Sequence, residues 1–162
     1  MAEVFSLFVS YQQVAVFNQS LDSPFNDWEP RHVSQGFSWR PDSVSFRVPE
    51  GENYLVEILQ NDEESMFTGE PTRIILTPFE CLNNDFVAVG SITEENKITI
   101  VEAEKFQLIF ELLPSGIYEG EKFENGIRLR FIKDDSPMFE IQKADSEMDV
   151  SLPLNLVARP AE

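Results

Sequence analysis

The chain has 162 residues, with 29 Asp and Glu set against 12 Lys and Arg, a formal net charge of −17. A surface this negative repels phosphate backbones and anionic membranes, which disfavours nucleic-acid binding, and it attracts basic proteins and divalent cations. Hydrophobic residues reach 42% and include 14 Phe, globular proportions that exclude disorder and supply a large buried area.

The length suits one domain spanning residues 1–162. A single cysteine, Cys81, forms no internal disulfide, which fits a reducing compartment. The opening Met1-Ala2-Glu3-Val4-Phe5 lacks a basic start and a long apolar run, so no signal peptide is expected and the default location is the cytoplasm. No stretch approaches the roughly 20 apolar residues of a membrane span.

Taken in chain order, the dominant pattern is alternation, the period of a half-buried strand. Phe5, Leu7, Val9 and Tyr11 share one face. The segment Ser23 to Gly36 suits one short helical turn around Trp28. Val44, Phe46 and Val48 alternate with Ser43, Ser45 and Arg47. Strands are also predicted over Tyr54 to Leu59, Thr72 to Leu76, Phe86 to Ser91 and Lys97 to Val101. Phe106, Leu108, Phe110 and Leu112 form the next run, then Ile127, Leu129 and Phe131. Ser146 to Val150 suits a second helical turn, and Ser151 to Val157 a last strand. Pro49-Glu50-Gly51, Gly69-Glu70-Pro71, Asn83-Asn84-Asp85, Pro114-Ser115-Gly116, Asn125-Gly126 and Ser136-Pro137 are turn signals between the runs. Asn125-Gly126 in particular suits a tight hairpin joining Lys122–Glu124 to Ile127–Phe131. The predicted fold is all-β: a mostly antiparallel β-sandwich of about eight to ten strands with one or two short helical turns.

Catalytic constellations are scarce. His32 is the only histidine and lies in the Pro-flanked segment Glu29-Pro30-Arg31-His32, so no Ser-His-Asp set is expected, and neither His32 nor Cys81 sits in a nucleophile motif. The simpler reading makes His32 a surface residue and Cys81 a buried structural one. A transition-metal site lacks a second His or Cys. Asp62-Glu63-Glu64, Glu94-Glu95 and Asp134-Asp135 could hide a glycosidase pair, but solvated loop charge is the simpler reading. Loop carboxylates such as Asp22, Asp27, Asp62 to Glu64, Asp134 and Asp135 could instead gather a Ca²⁺ ion at one end of a sandwich. Without a recognisable constellation, the expectation is a protein that is not an enzyme and carries no cofactor.

An acidic, folded, non-catalytic domain can fill the basic groove of a nucleic-acid-binding protein, its carboxylates meeting the Lys and Arg that normally meet phosphates. The acids concentrate past residue 50: residues 51–100 hold ten acids and two bases. Asp62, Glu63 and Glu64, with Glu94 and Glu95 next, are therefore the expected partner contacts. Trp28, with Asp27 beside it, is either an interface anchor or a cap on one end of the sandwich. Tyr11, Val14, Val16 and Phe17 are expected in the core, and Gly36 is expected to meet a backbone need.

One block of residues goes beyond composition. Ser10-Tyr11-Gln12-Gln13-Val14-Ala15-Val16-Phe17 is followed by Pro24, Asp27-Trp28, Gly36-Phe37 and Ser45-Phe46. Further on come Leu76-Thr77-Pro78-Phe79, Val87-Ala88-Val89-Gly90-Ser91-Ile92 and Phe106-Gln107-Leu108. This order and spacing resembles the competence protein J family over roughly residues 7–113. The tail from Ser115 onward is less clearly matched and longer than a typical member's. The resemblance implies a small protein that binds and blocks a metal-dependent nuclease acting on DNA that enters competent bacteria. It implies no catalytic residues and carries no contact residue over to this chain. Alternatives left open are a Ca²⁺-binding module and an immunity-type binding protein for another basic partner.

Overall fold

The computed structural model describes residues 2–49, 53–81, 86–92, 94–98 and 105–161. The elements run β1 (Glu3–Phe8), β2 (Gln13–Asn18), α1 (Pro30–Gln35), β3 (Phe37–Arg40), β4 (Ser43–Arg47) and β5 (Asn53–Gln60). They continue with β6 (Arg73–Glu80), β7 (Val87–Gly90), β8 (Glu95–Ile98), β9 (Lys105–Tyr118), β10 (Glu121–Lys133) and β11 (Glu140–Lys143). Two sheets form the all-β architecture expected from the alternation. One has the order β1-β5-β10-β9-β6-β11, the other β3-β4-β2-β7-β8. All pairs are antiparallel except β5 with β10.

The period-2 pattern decides which side chains face inward. Val14, Val16, Val44, Phe46, Val87 and Val89 come from the five-stranded sheet, with Val48 just past β4. They meet Leu7, Val56, Ile58, Ile75, Phe110, Ile127 and Leu129 from the six-stranded one. Phe46 stacks on Phe110 across the two layers with ring centroids 4.4 Å apart. These residues are fully or almost fully buried and carry most of the hydrophobic stabilisation, roughly 1.5–3 kcal/mol for each large side chain.

Both outer faces are covered as well. The segment 19–29 lies over the five-stranded sheet, where Leu21 and Phe25 pack on Ala15, Phe17 and Ala88. Asn26 Nδ2 donates to the carbonyls of Ser38 (2.7 Å) and Ser43 (3.0 Å), fastening that cover to two strands. The segment 61–72 crosses the six-stranded sheet. Glu57, a wholly buried carboxylate in β5, accepts hydrogen bonds from Ser65 Oγ and the Met66 N–H, each 2.6 Å. Arg128 pairs with Glu111 and donates to Ser65 Oγ at 2.9 Å.

The helical turn is α1, one step later than the Trp28-centred expectation. Pro30 opens it, and Gly36 closes it at φ 89°, with its N–H donating to the His32 carbonyl. That left-handed cap is the backbone need anticipated for Gly36.

Several expectations are overturned. Asn125-Gly126 is not a hairpin turn. It lies inside β10, where Gly126 faces Leu113, and the turn is Glu119-Gly120 (φ 52° and 79°). Both φ values are positive, as a two-residue type I′ connection requires. Pro114-Ser115-Gly116 runs within β9 for the same reason. Tyr11 is not in the core: β1 stops at Phe8, and Tyr11 sits exposed in the β1–β2 turn. His32 is buried rather than at the surface. Ser146–Val150 forms a turn and no helix, and Ser151–Val157 joins neither sheet. The signals at Glu50-Gly51 and Asn83-Asn84-Asp85, and the end of the Lys97 to Val101 run, lie outside the described residues.

The C-terminal segment instead wraps the sandwich through side chains that read its backbone. Arg31 donates to the carbonyls of Asp149 (2.6 Å), Leu152 (2.6 Å) and Pro153 (2.9 Å). Gln35 donates to Asn155 O and accepts from Asn155 N, both at 2.9 Å. The Glu29 N–H donates to His32 Nδ1, so Nε2 carries the proton that reaches Val157 O at 3.0 Å.

Candidate partner-binding surfaces

The residues singled out from the sequence do not converge on one site. Asp62 and Glu64 are exposed at the start of the segment that leaves β5. Glu63, half-buried, accepts from the Gln60 N–H at 2.8 Å. Its carbonyl takes a 2.7 Å bond from Arg130. Glu94 and Glu95 are exposed at the β7–β8 turn, where Glu94 Oε2 accepts from the Phe8 N–H at 2.8 Å. Phe8 pairs with Asn53 at the start of β5, whereas Asp62 follows Gln60 at its end. Seven residues of extended chain separate the two groups, about 23 Å at a strand's rise per residue.

Trp28 is half-buried and donates from its indole nitrogen to Gln13 Oε1 at 3.1 Å, with Asp27 exposed beside it. This places the Trp28 ring by the start of β2, on the same side as the β1–β2 turn, whereas the Asp27 carbonyl accepts from Ser38 Oγ in β3 at 2.8 Å. That turn and its neighbour are joined by a compact network. Ser91 Oγ accepts from Ser10 N–H at 2.8 Å and lies 3.1 Å from both Ser10 O and Ser10 Oγ. The Ser91 N–H donates to the Glu94 carbonyl at 2.7 Å.

A further acidic feature is the β9–β10 tip, which extends past its pairing with β5 and β6. It carries Glu119, Glu121 and Glu124. Tyr118 is pushed up from the usual phenol range, by partial burial first and then by the hydrogen bond and charge of Glu119.

Among the described residues, no three His, Cys, Asp or Glu side chains gather as a cation site would need. Asp134 is occupied locally: its carboxylate accepts from Ser136 N–H at 2.8 Å. His32 spends both ring nitrogens on Glu29 and Val157, and Cys81 packs half-buried against the core. Among the described residues, no helix is long and apolar enough to cross a membrane.

The sequence reasoning missed Phe8, Tyr11 and Ile92 as surface residues. The signal for Tyr11 was present in part, since Ser10 to Gln13 is polar apart from that ring, but apolar alternation alone continues through it.

The family model of Competence protein J (ComJ) matches residues 6–132, and the chain belongs to that family. Among solved structures it is similar to ComJ from Bacillus subtilis, described as an inhibitor of the DNA-degrading activity of NucA. The two share 17% identity with a TM-score of 0.68, covering 82% of this chain and 96% of that one. At that identity the likeness establishes the shared fold. No curated protein sequence matches this chain.

Proposed function

From its place in the ComJ family, we propose that this chain binds a basic, metal-dependent, DNA-degrading nuclease and inhibits it without catalysing any reaction. The family match over residues 6–132 carries the reading. The net charge of −17 supports it independently. An enzyme that cleaves DNA presents cations to the phosphate backbone, and a strongly negative folded surface competes for those cations. The solved relative inhibits the DNA-degrading activity of NucA, which gives the partner class.

The mechanism is steric and electrostatic. Long-range attraction raises the encounter rate, and exposed carboxylates then stand where phosphates would lie. Asp62 and Glu64, with Glu63 between them, supply one such edge. Reversing all three charges to Lys slows association at low salt and leaves it little changed at high salt, because screening removes the same attraction. Equal association rates for both proteins at low salt would remove these residues from the contact.

The direct test is degradation of linear DNA by purified nuclease with increasing amounts of this protein. Two nucleases serve as probes: NucA from Bacillus subtilis and the corresponding enzyme of the source strain. Degradation stops near one equivalent if the reading is right. Undiminished degradation of DNA by both enzymes at a tenfold excess would overturn it.

A further inference from the structure

We infer that the β1–β2 turn, together with the adjoining β7–β8 turn, is the docking surface for the cationic DNA-binding face of the nuclease, with Tyr11 as its anchor. The inference rests on the inhibitor reading and adds the surface that performs it.

Three observations meet at this end of the sandwich. Tyr11 is 78% exposed, Phe8 44% and Ile92 43%. Among the described residues the exposed aromatic rings are Phe8, Tyr11 and Phe86, and two of them flank this one turn. Tyr and other aromatic side chains concentrate binding energy at interfaces when a partner covers them.

The turn is also held in a costly conformation. Tyr11 and Gln12 have φ of 57° and 55°, the left-handed region that bulky side chains rarely adopt. A Gly or Asn would fit there with less strain, and the chain carries a large aromatic ring instead. Such an outlier points to a role for the side chain outside the fold itself.

The third observation is charge. Glu94 is bonded to the Phe8 N–H, and Glu95 follows it, both exposed. The turn that carries these two carboxylates is therefore bonded to the turn that carries the exposed ring. This pairing fits an Arg- or Lys-lined cleft: the cation stacks on the ring face while the carboxylates satisfy its N–H groups. The Ser10–Ser91 bonds fix the two turns against each other, so the surface is assembled before the partner arrives. Preassembly removes an ordering cost from binding.

The test exploits the strain. Tyr11→Asn deletes the ring at a position where Asn tolerates left-handed backbone, so the fold keeps or gains stability. Inhibition of NucA and of the source strain's nuclease is measured for the unaltered protein, Tyr11→Asn, Glu95→Lys and, as a distant control, Glu140→Lys, which lies exposed on β11 at the sheet edge opposite β1. The inference expects Tyr11→Asn to weaken inhibition at least about tenfold with no fall in melting temperature. Glu95→Lys weakens it in a salt-dependent way, and Glu140→Lys stays close to the unaltered protein. If the unaltered protein inhibits and Tyr11→Asn inhibits equally well, this surface is wrong while the inhibitor reading stands. If the unaltered protein inhibits neither enzyme, the reading and the inference built on it fail together.

Discussion

Arg73 is completely buried, and its charge is met by the C-terminal segment beyond the family match. Nε and Nη2 each donate to Asp145 at 2.9 Å, a bidentate pair, and Nη1 donates to the Arg47 carbonyl at 2.6 Å. Asp145→Ala therefore leaves a buried guanidinium without its principal counter-charge. Removing one partner of a buried pair costs about 3–5 kcal/mol. Two features reduce that figure here: the Asp145 side chain is 20% exposed, and Glu147 remains 3.5 Å from Nη2. The expected loss is about 2–3 kcal/mol. For a chain of this size each kcal/mol shifts the melting temperature by about 2–4 °C, so the variant melts about 5–10 °C lower. Urea unfolding followed by tryptophan fluorescence reads the same loss in free energy. Adding Arg73→Met to Asp145→Ala removes the charge that needed a partner, so the double variant is more stable than the sum of the single effects. A loss below about 0.5 kcal/mol for Asp145→Ala would mean that Arg73 does not depend on Asp145 and that the C-terminal wrap is incidental to the fold.

Other consequences follow from the same geometry. Glu57→Gln replaces an acceptor-only carboxylate by an amide whose NH₂ opposes one of its two donors, Ser65 Oγ or Met66 N–H. It should cost about 1–3 kcal/mol and speed limited proteolysis within residues 61–68; unchanged cleavage would contradict this. Arg31→Ala frees three carbonyls at residues 149, 152 and 153, so the amides of Asp149 and Asn155 should exchange faster by roughly tenfold, about 1.4 kcal/mol of local opening. Equal exchange in both proteins would show that the wrap is held elsewhere. The Tyr54 phenol is pushed up to about 12, by burial first, with Arg73 opposing and Glu147 assisting. Because the folded value exceeds the ordinary value near 10, its contribution is complete below pH 10 and is lost as pH rises from 10 to 12. Tyr54→Phe should flatten the stability profile across that window, and an unchanged profile would remove Tyr54 from the account.

The layers of the sandwich were legible because each core strand alternates cleanly, as in Val44, Phe46 and Val48, or Phe106 to Leu112. What local pattern could not supply was pairing at a distance. Asn125-Gly126 has hairpin chemistry, yet it continues a ladder whose register is constant from Tyr118–Glu121 to Phe106–Lys133. Twelve paired positions and the core face of Ile127, Leu129 and Phe131 outweigh one turn signal. Ser151 to Val157 alternates like a strand, but Arg31, His32 and Gln35 take its backbone groups before a sheet edge can. The same wrap buries His32, which its Pro-flanked sequence had placed outside. The carboxylates at Asp62 to Glu64 and at Glu94 and Glu95 were found as exposed charge. Their separation along the full length of β5 was set by the β1–β5 register, which no local signal encodes.

If the proposed function holds, this protein takes the place of DNA on a nuclease. The most direct measurement immobilises the nuclease in EDTA, where metal-dependent cleavage is blocked, and follows binding of this protein as duplex DNA is added. Mutual exclusion is the expected result: DNA displaces the protein, the protein displaces DNA, and both competitions weaken as salt rises. A stable ternary complex, with DNA and this protein bound together at full occupancy, would contradict the account.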